Sequence, residues 1–322
     1  MNDINSEGIL YMKVGVIGTG KMGENHVRTY LSLKDHCQLV GIFDNDKNRS
    51  LDIAKKYNVK QFSTIDELLQ TVDAVSIAVP TAFHYDIALA CIKSKTHMLI
   101  EKPITSTVEQ ADDLIKKTNN AGIKLQVGHI ELFNPLIQIL KQELENEDII
   151  GISLLRLNPY DERIKDVDVV KDLMIHDLYI LSELLQDKVT AFHAIGNVID
   201  NTTKHAAVII ESSQGVTAEL IASFKSKRKT RLIQIFTEEA FFEANLLNNT
   251  IKITKTIELD SNESLIPITK TIQIDNATQP LDFQLMDFLH CIKFNKAPAV
   301  SAEHGKQALE ITNRISQSIY KS

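Results

Sequence analysis

The apolar positions of this chain follow two different rhythms. In the first 130 residues, short runs are apolar at nearly every position: Val14 to Ile17, Leu39 to Phe43, Ala74 to Val79, Met98 to Ile100 and Leu125 to Val127. Strands buried on both faces of a parallel sheet need such runs, whereas half-exposed strands alternate. Stretches of helical periodicity lie between them, at Met22 to Leu33, Arg49 to Tyr57, Asp66 to Leu69, Tyr85 to Lys93 and Val108 to Ala121. Strand and helix in turn predict a doubly wound α/β domain.

After a transitional helix from Pro135 to about Glu147 the rhythm changes. Ile152 to Leu157, Val189 to Val198, Ala206 to Glu211, Val216 to Phe224, Leu232 to Thr237 and Phe241 to Leu246 alternate, as strands of a largely antiparallel open sheet do. Ile253 to Leu259 and Ile268 to Ile274 nearly repeat each other and read as two paired edge strands, because a solenoid needs more than two repeats. Helices at Asp282 to Phe294 and Ala302 to Ile319 close the chain. The expected organisation is a flexible leader over residues 1–11, a dinucleotide-binding Rossmann domain over 12–130, and a substrate-binding and oligomerisation domain over 131–322. Either Met1 or Met12 is the start.

Composition narrows the function. The 322 residues are 43% hydrophobic and 24% charged, with a net charge of −7. No uninterrupted apolar stretch is long enough to span a bilayer, and the first ten residues lack the basic and apolar regions of a signal peptide, so a cytoplasmic protein is expected. An acidic balance with 6% aromatics and no Trp argues against nucleic acid as a partner. Three cysteines, Cys37, Cys91 and Cys291, form no C-x-x-C and read as buried thiols.

Chemistry enters directly after the first strand. Gly18-Thr19-Gly20-Lys21-Met22-Gly23 is a complete G-x-G-x-x-G opening a helix. Its first glycine serves the turn, the second admits a diphosphate, and the third lets helix and strand pack closely. Asp44 ends the second strand 21 residues past Gly23, where a carboxylate accepts from ribose hydroxyls and repels a 2′-phosphate. NAD is therefore expected in preference to NADP.

With these motifs the sequence resembles the Gfo/Idh/MocA oxidoreductases from Met12 onward. Val79-Pro80-Thr81 with His84 is similar to that family's nicotinamide-side loop, Glu101-Lys102-Pro103 to its E-K-P motif, and Val127-Gly128-His129 with Phe133-Asn134-Pro135 to its passage into the second domain. Asp172-Leu173-Met174-Ile175-His176 matches its D-x-x-x-H helix. The resemblance implies cofactor contacts at Gly18, Gly20, Lys21, Met22, Gly23, Asp44, Pro80, Thr81, His84, Glu101 and Lys102. It implies catalysis by Lys102, Asp172 and His176, and substrate contacts at those three with Asn134, Arg163 and Lys165. Asp168-Val169-Val170-Lys171, Leu132 and Tyr179 depart from the family pattern, which touches substrate contacts and leaves hydride chemistry intact.

The residues can be read on their own terms too. Lys102 follows a parallel strand at its C-terminal end, where open α/β sheets bind ligands, and a partly desolvated lysine there suits a general base. Asp172 and His176, four apart, share one helix face and can converge on one hydroxyl. His with a carboxylate one turn away is also metal-ligand spacing, but no third ligand is evident and hydride transfer needs no metal, so none is expected. Pro159 to Val167 resembles the branch acting on the 3-hydroxyl of UDP-N-acetylhexosamines, and Arg163 and Lys165 suit a diphosphate.

An oxidation of UDP-N-acetylglucosamine with NAD is the reading these features favour. A free polyol or monosaccharide dehydrogenase and a non-catalytic dinucleotide sensor stand as alternatives. Lys225, Lys227, Arg228, Lys229 and Arg231 read as a solvated hairpin turn, with substrate phosphates or a neighbouring subunit as other destinations. Ile209, Phe224, Ile233, Phe236 and Phe242 are assigned to an open sheet face too apolar for solvent, which predicts a homodimer or homotetramer.

Overall fold

The computed structural model describes residues 11–185, 189–259, 264–275 and 279–321. The leader, apart from Tyr11, lies outside the described residues. Two compact units account for the rest.

The first unit runs to Ile130 and takes in Gln279–Leu309. Its strands are β1 (Met12–Ile17), β2 (Cys37–Phe43), β3 (Lys60–Gln61), β4 (Ala74–Ile77), β5 (His97–Glu101) and β6 (Leu125–Gly128), all parallel in the order β3-β2-β1-β4-β5-β6. Helices α1 (Lys21–Ser32), α2 (Lys47–Tyr57), α3 (Ile65–Leu69), α4 (His84–Lys93) and α5 (Val108–Ala121) connect them. This is the doubly wound Rossmann sheet expected from the continuous apolar runs: Val14, Val16, Ile17, Val75, Ile77, Leu99 and Ile100 are sealed from solvent. The chain order reverses between β1 and β4, and ligands of such sheets bind at that switch point.

The second unit comprises Glu131–Thr278 and Glu310–Ser322. After α6 (Pro135–Glu143), it holds β7 (Ile149–Pro159), a π-helical turn over Val170–Met174 that runs into α7 (Ile175–Leu185), and strands β8 (Val189–Ile199), β9 (Thr202–Ser212), β10 (Thr217–Ser226), β11 (Thr230–Thr237), β12 (Ala240–Asn245), β13 (Thr250–Leu259) and β14 (Ser264–Gln273). They form one sheet, β14-β13-β12-β11-β7-β10-β9-β8, antiparallel except where β10 lies parallel to β7. The near-repeat segments pair as β13 and β14, but only β14 is an edge.

Three expectations need correction. The second domain does not continue unbroken from 131 to 322, because helix α8 (Pro280–Lys293) buries Leu281, Leu285, Phe288 and Leu289 with Val14, Val27 and Ile42 of the first unit. Residues 302–309 of α9 (Ala302–Lys321) also cluster with the first unit, and the remainder with the second. Next, the basic stretch is no hairpin turn. β7 lies between β10 and β11, so residues 227–229 cross its end. Last, Phe224, Ile233 and Phe242 are buried on the core face of the sheet. Directly paired residues share a face, and the chain Ile209–Glu219–Ser153–Gln234 places only Ile209 and, two residues on, Phe236 on the open one. These are 45% and 46% exposed, and Ile195, paired beside Ala207, joins them at 56%.

Candidate active site

In the glycine loop each glycine answers a different contact. Gly18 has φ +92°, and a Cβ there would stand 2.5 Å from the Ala78 carbonyl oxygen. At Gly23 a Cβ would stand 1.8 Å from the Gly18 oxygen, so helix and loop meet only without a side chain. Gly20 faces open space, with nothing within 4 Å. It is also the N-cap of α1 and no side chain caps that helix. An uncapped helix N-terminus beside open space fits a dinucleotide diphosphate. Lys21 is exposed and Met22 half-buried on the first turn.

Asp44 follows β2 directly. Its Oδ2 accepts from the Thr19 N–H at 2.6 Å and the Thr19 hydroxyl at 2.9 Å, and its Oδ1 from the Asp46 N–H at 2.9 Å and Arg49 at 3.3 Å. Burial pushes its pKa up, but these donors outweigh burial and hold it below the ordinary carboxylate range. The carboxylate is therefore anionic and tied to the loop it was expected to work with.

At the ends of β4 and β5 the expected residues separate. Pro80 is exposed and Thr81 half-buried at the start of a 3₁₀ turn over Thr81–Phe83. His84, expected at the cofactor, is buried, with Nδ1 at 2.9 Å from the Pro103 oxygen and Nε2 at 2.9 Å from the Val79 oxygen. Each ring nitrogen faces the carbonyl of one strand-end loop; burial keeps the ring neutral, so its single N–H donates to one of them. Glu101 turns inward, Oε1 meeting His26 Nε2 at 3.0 Å, and His26 Nδ1 and the Tyr30 hydroxyl each meet Ser76 Oγ at 2.9 Å. A Cβ on Gly128 would stand 2.8 Å from that carboxylate and would press it aside. Lys102 is half-buried next to this chain, before a cis bond to Pro103. His129 is fully buried; burial, with Lys102 and His304 nearby, lowers its pKa to about 3. A neutral imidazole thus lies close to the Lys102 side chain.

In the second unit Asp172 sits in the π turn and His176 in the first turn of α7. In an α-helix four residues overshoot a turn by about 40°. A π turn is wider than an α turn and reduces that overshoot, and such turns recur at functional sites. Asp168 Oδ1 caps the start, accepting from the N–H groups of Val170 at 2.9 Å and Lys171 at 3.3 Å. Asp177, next to His176, is buried and accepts from Arg156 Nε at 2.7 Å, while Arg156 Nη1 donates to Glu131 at 2.8 Å. One buried guanidinium holds a buried carboxylate and a partly buried one. Burial pushes Asp177 up to about 6, while Arg156 overcomes burial at Glu131 and holds it low.

Asn134, expected at the substrate, is instead the N-cap of α6, accepting from the Leu136 N–H at 3.0 Å. Lys165 is exposed; the side chain of Arg163 lies outside the described residues. Of the basic stretch, Lys227, Arg228 and Lys229 are exposed. Lys225 stands over the Tyr160 ring at 4.1 Å, and Arg231 is buried, donating to the Leu157 oxygen and to Asn158 Oδ1, each at 2.8 Å. Both flank the end of β7 because the connection crosses it. The Arg156 and Arg231 partners escaped sequence reasoning, since each joins residues distant in the chain. The one available signal was an arginine set within an alternating strand run.

Residues 12–129 match the family model described as an oxidoreductase family with an NAD-binding Rossmann fold. The chain is similar to the UDP-N-acetylglucosamine 3-dehydrogenase of Acidithiobacillus ferrooxidans, 34% identical over 253 residues, 76% of this chain and 77% of that one. It is similar to the myo-inositol 2-dehydrogenase of Thermotoga maritima, 26% identical over 92% of this chain and 93% of that one. A solved structure of the Acidithiobacillus enzyme superposes with a TM-score of 0.90 at 28% identity, covering 97% of this chain and 98% of that one.

The burial of His129 has a measurable consequence. In the unfolded chain a histidine takes up a proton below its ordinary pKa of about 6.5, whereas His129 in the fold resists protonation down to about 3. Its contribution to stability is complete above about pH 6.5 and is lost as pH falls through this window, by about 1.4 kcal/mol per pH unit at most. Urea unfolding of wild type and His129→Gln between pH 7 and 4 should give the wild type the steeper loss; parallel curves would contradict it.

Proposed function

The chain belongs to the Gfo/Idh/MocA family of oxidoreductases, and on that premise we propose that it oxidises the 3-hydroxyl of UDP-N-acetylglucosamine, or of a related UDP-N-acetylhexosamine, with NAD. The observation that carries this reading is the placement of Asp172 in the π turn and His176 in the first turn of α7, four residues apart, on the unit that also bears the exposed cations Lys165 and Lys225. The pair supplies acid–base groups for a sugar hydroxyl, and the cations suit a diphosphate. Similarity to a UDP-N-acetylglucosamine 3-dehydrogenase over 77% of its length points the same way.

In this mechanism the secondary alcohol becomes a ketone, losing a hydride from carbon and a proton from oxygen. His176 accepts the hydroxyl proton, with Asp172 orienting the ring or the substrate. Lys102 is the alternative general base for that same proton. When bound, the nicotinamide dinucleotide supplies the hydride acceptor. Gly18, Gly20, Lys21, Met22 and Gly23 would hold its diphosphate, with Pro80, Thr81, Glu101 and Lys102 toward the nicotinamide. The anionic carboxylate of Asp44 favours ribose hydroxyls over a 2′-phosphate, which supports NAD over NADP. The open sheet face bearing Ile195, Ile209 and Phe236 supports a homo-oligomer.

A panel of UDP-sugars and free polyols, each with NAD and NADP and a transaminase present to remove a keto product, tests the reading. NADH should form with UDP-N-acetylglucosamine, and His176→Asn should abolish turnover while NAD still binds. Turnover of free inositol without nucleotide would replace this reading with a polyol dehydrogenase. NAD binding without any turnover would make the protein a sensor. Light scattering at micromolar concentration should give a dimer or tetramer, and a 36.2 kDa species would refute the oligomer.

A further inference from the structure

Lys204 occupies a core-facing position of β9, in series with Ala206, Val208 and Ile210, and is 1% exposed. Its ammonium has three protons to donate. Three backbone carbonyls receive them, from Ile164 at 2.8 Å, Lys165 at 2.6 Å and Val167 at 2.9 Å. The Phe224 ring lies 6.0 Å from Nζ. Burying a cation is unfavourable, and an apolar residue would fill this position without that cost. Nor do the carbonyls need it for satisfaction, since Lys165 and Asp166 are exposed and water could serve that segment. What the lysine adds is convergence: three carbonyls from four consecutive residues aimed at one point.

That segment stands directly before the π turn. Thr202 on the same strand donates its hydroxyl to the Lys165 oxygen at 3.2 Å. The Tyr320 hydroxyl joins Asp168 Oδ2 at 3.3 Å and the Asn201 oxygen at 3.1 Å. Asp168 in turn caps the helix that carries Asp172 and His176. A continuous path of bonds therefore leads from Lys204 to the start of that helix.

We propose that Lys204 is a positioning residue whose ammonium moulds residues 164–167 into the turn that directs Lys165 outward and sets the start of the Asp172–His176 helix. The inference rests on the functional reading above, because it takes those residues to be the working ones. Lys204 touches no substrate and acts through the turn it holds.

The test compares the full-length wild type with Lys204→Met, which keeps the length and removes the charge. With the sugar that the wild type turns over, the variant should show at least a tenfold rise in KM for the sugar and an unchanged KM for NAD. Hydrogen exchange at the amides of residues 164–168 should speed up at least tenfold, with β7 and β10 unaffected. If Lys204→Met fails to fold, Lys204→Gln carries the same expectations, since one amide cannot meet three carbonyls. A folded variant with wild-type KM for the sugar, or with unchanged exchange at 164–168, overturns the proposal. Should the wild type oxidise no sugar, the functional reading fails separately and the exchange measurement alone decides about Lys204.

Discussion

The second unit is organised around the buried guanidinium of Arg156. It stands on β7, in the middle of the sheet, and reaches Asp177 and Glu131 together. Removing one member of such a group leaves an uncompensated buried charge, which costs about 3–5 kcal/mol, whereas replacing the whole group with apolar residues is often neutral. Stability alone therefore does not require it. What it supplies is direction: Asp177 precedes nothing catalytic by itself, but it adjoins His176, so fixing its side chain fixes the rotation of α7 about its axis. The π turn carries Asp172 just ahead of His176, and the Asp168 cap and the Lys204 cage fix where that turn begins.

In the first unit, close backbone approach plays the corresponding part. Gly18 and Gly23 are required by contacts with the Ala78 and Gly18 oxygens. Of the three loop glycines, Gly20 is the one left facing space. Glu101, His26, Ser76 and Tyr30 form a hydrogen-bonded chain that ties the residue before Lys102 into the core of the sheet. Lys102 is thus presented from a strand end held by this chain.

Much of this was legible in the sequence. Parallel strands announce themselves as continuous apolar runs, and the glycine loop by its spacing after a strand. What escaped notice depends on which distant residue arrives. An amphipathic α8 does not reveal whose core it completes, and it completes that of the first unit. Alternating strands reveal two faces but not which is covered, so Phe224, Ile233 and Phe242 were placed on the wrong side. His84 and Asn134 stand where a ligand contact was expected, and their polar atoms are occupied by loop carbonyls and a helix end. Residues 227–229 read as a hairpin because neighbours in sequence usually pair, while here β7 intervenes.

The central claim is that a hydride leaves carbon 3 of a nucleotide-linked N-acetylhexosamine. Supplying UDP-N-acetylglucosamine deuterated only at that carbon, and reading the reduced dinucleotide by mass spectrometry, tests it most directly. The account predicts that the deuterium appears in the NADH as it forms. NADH formed without the label would place the oxidation at another carbon and contradict it.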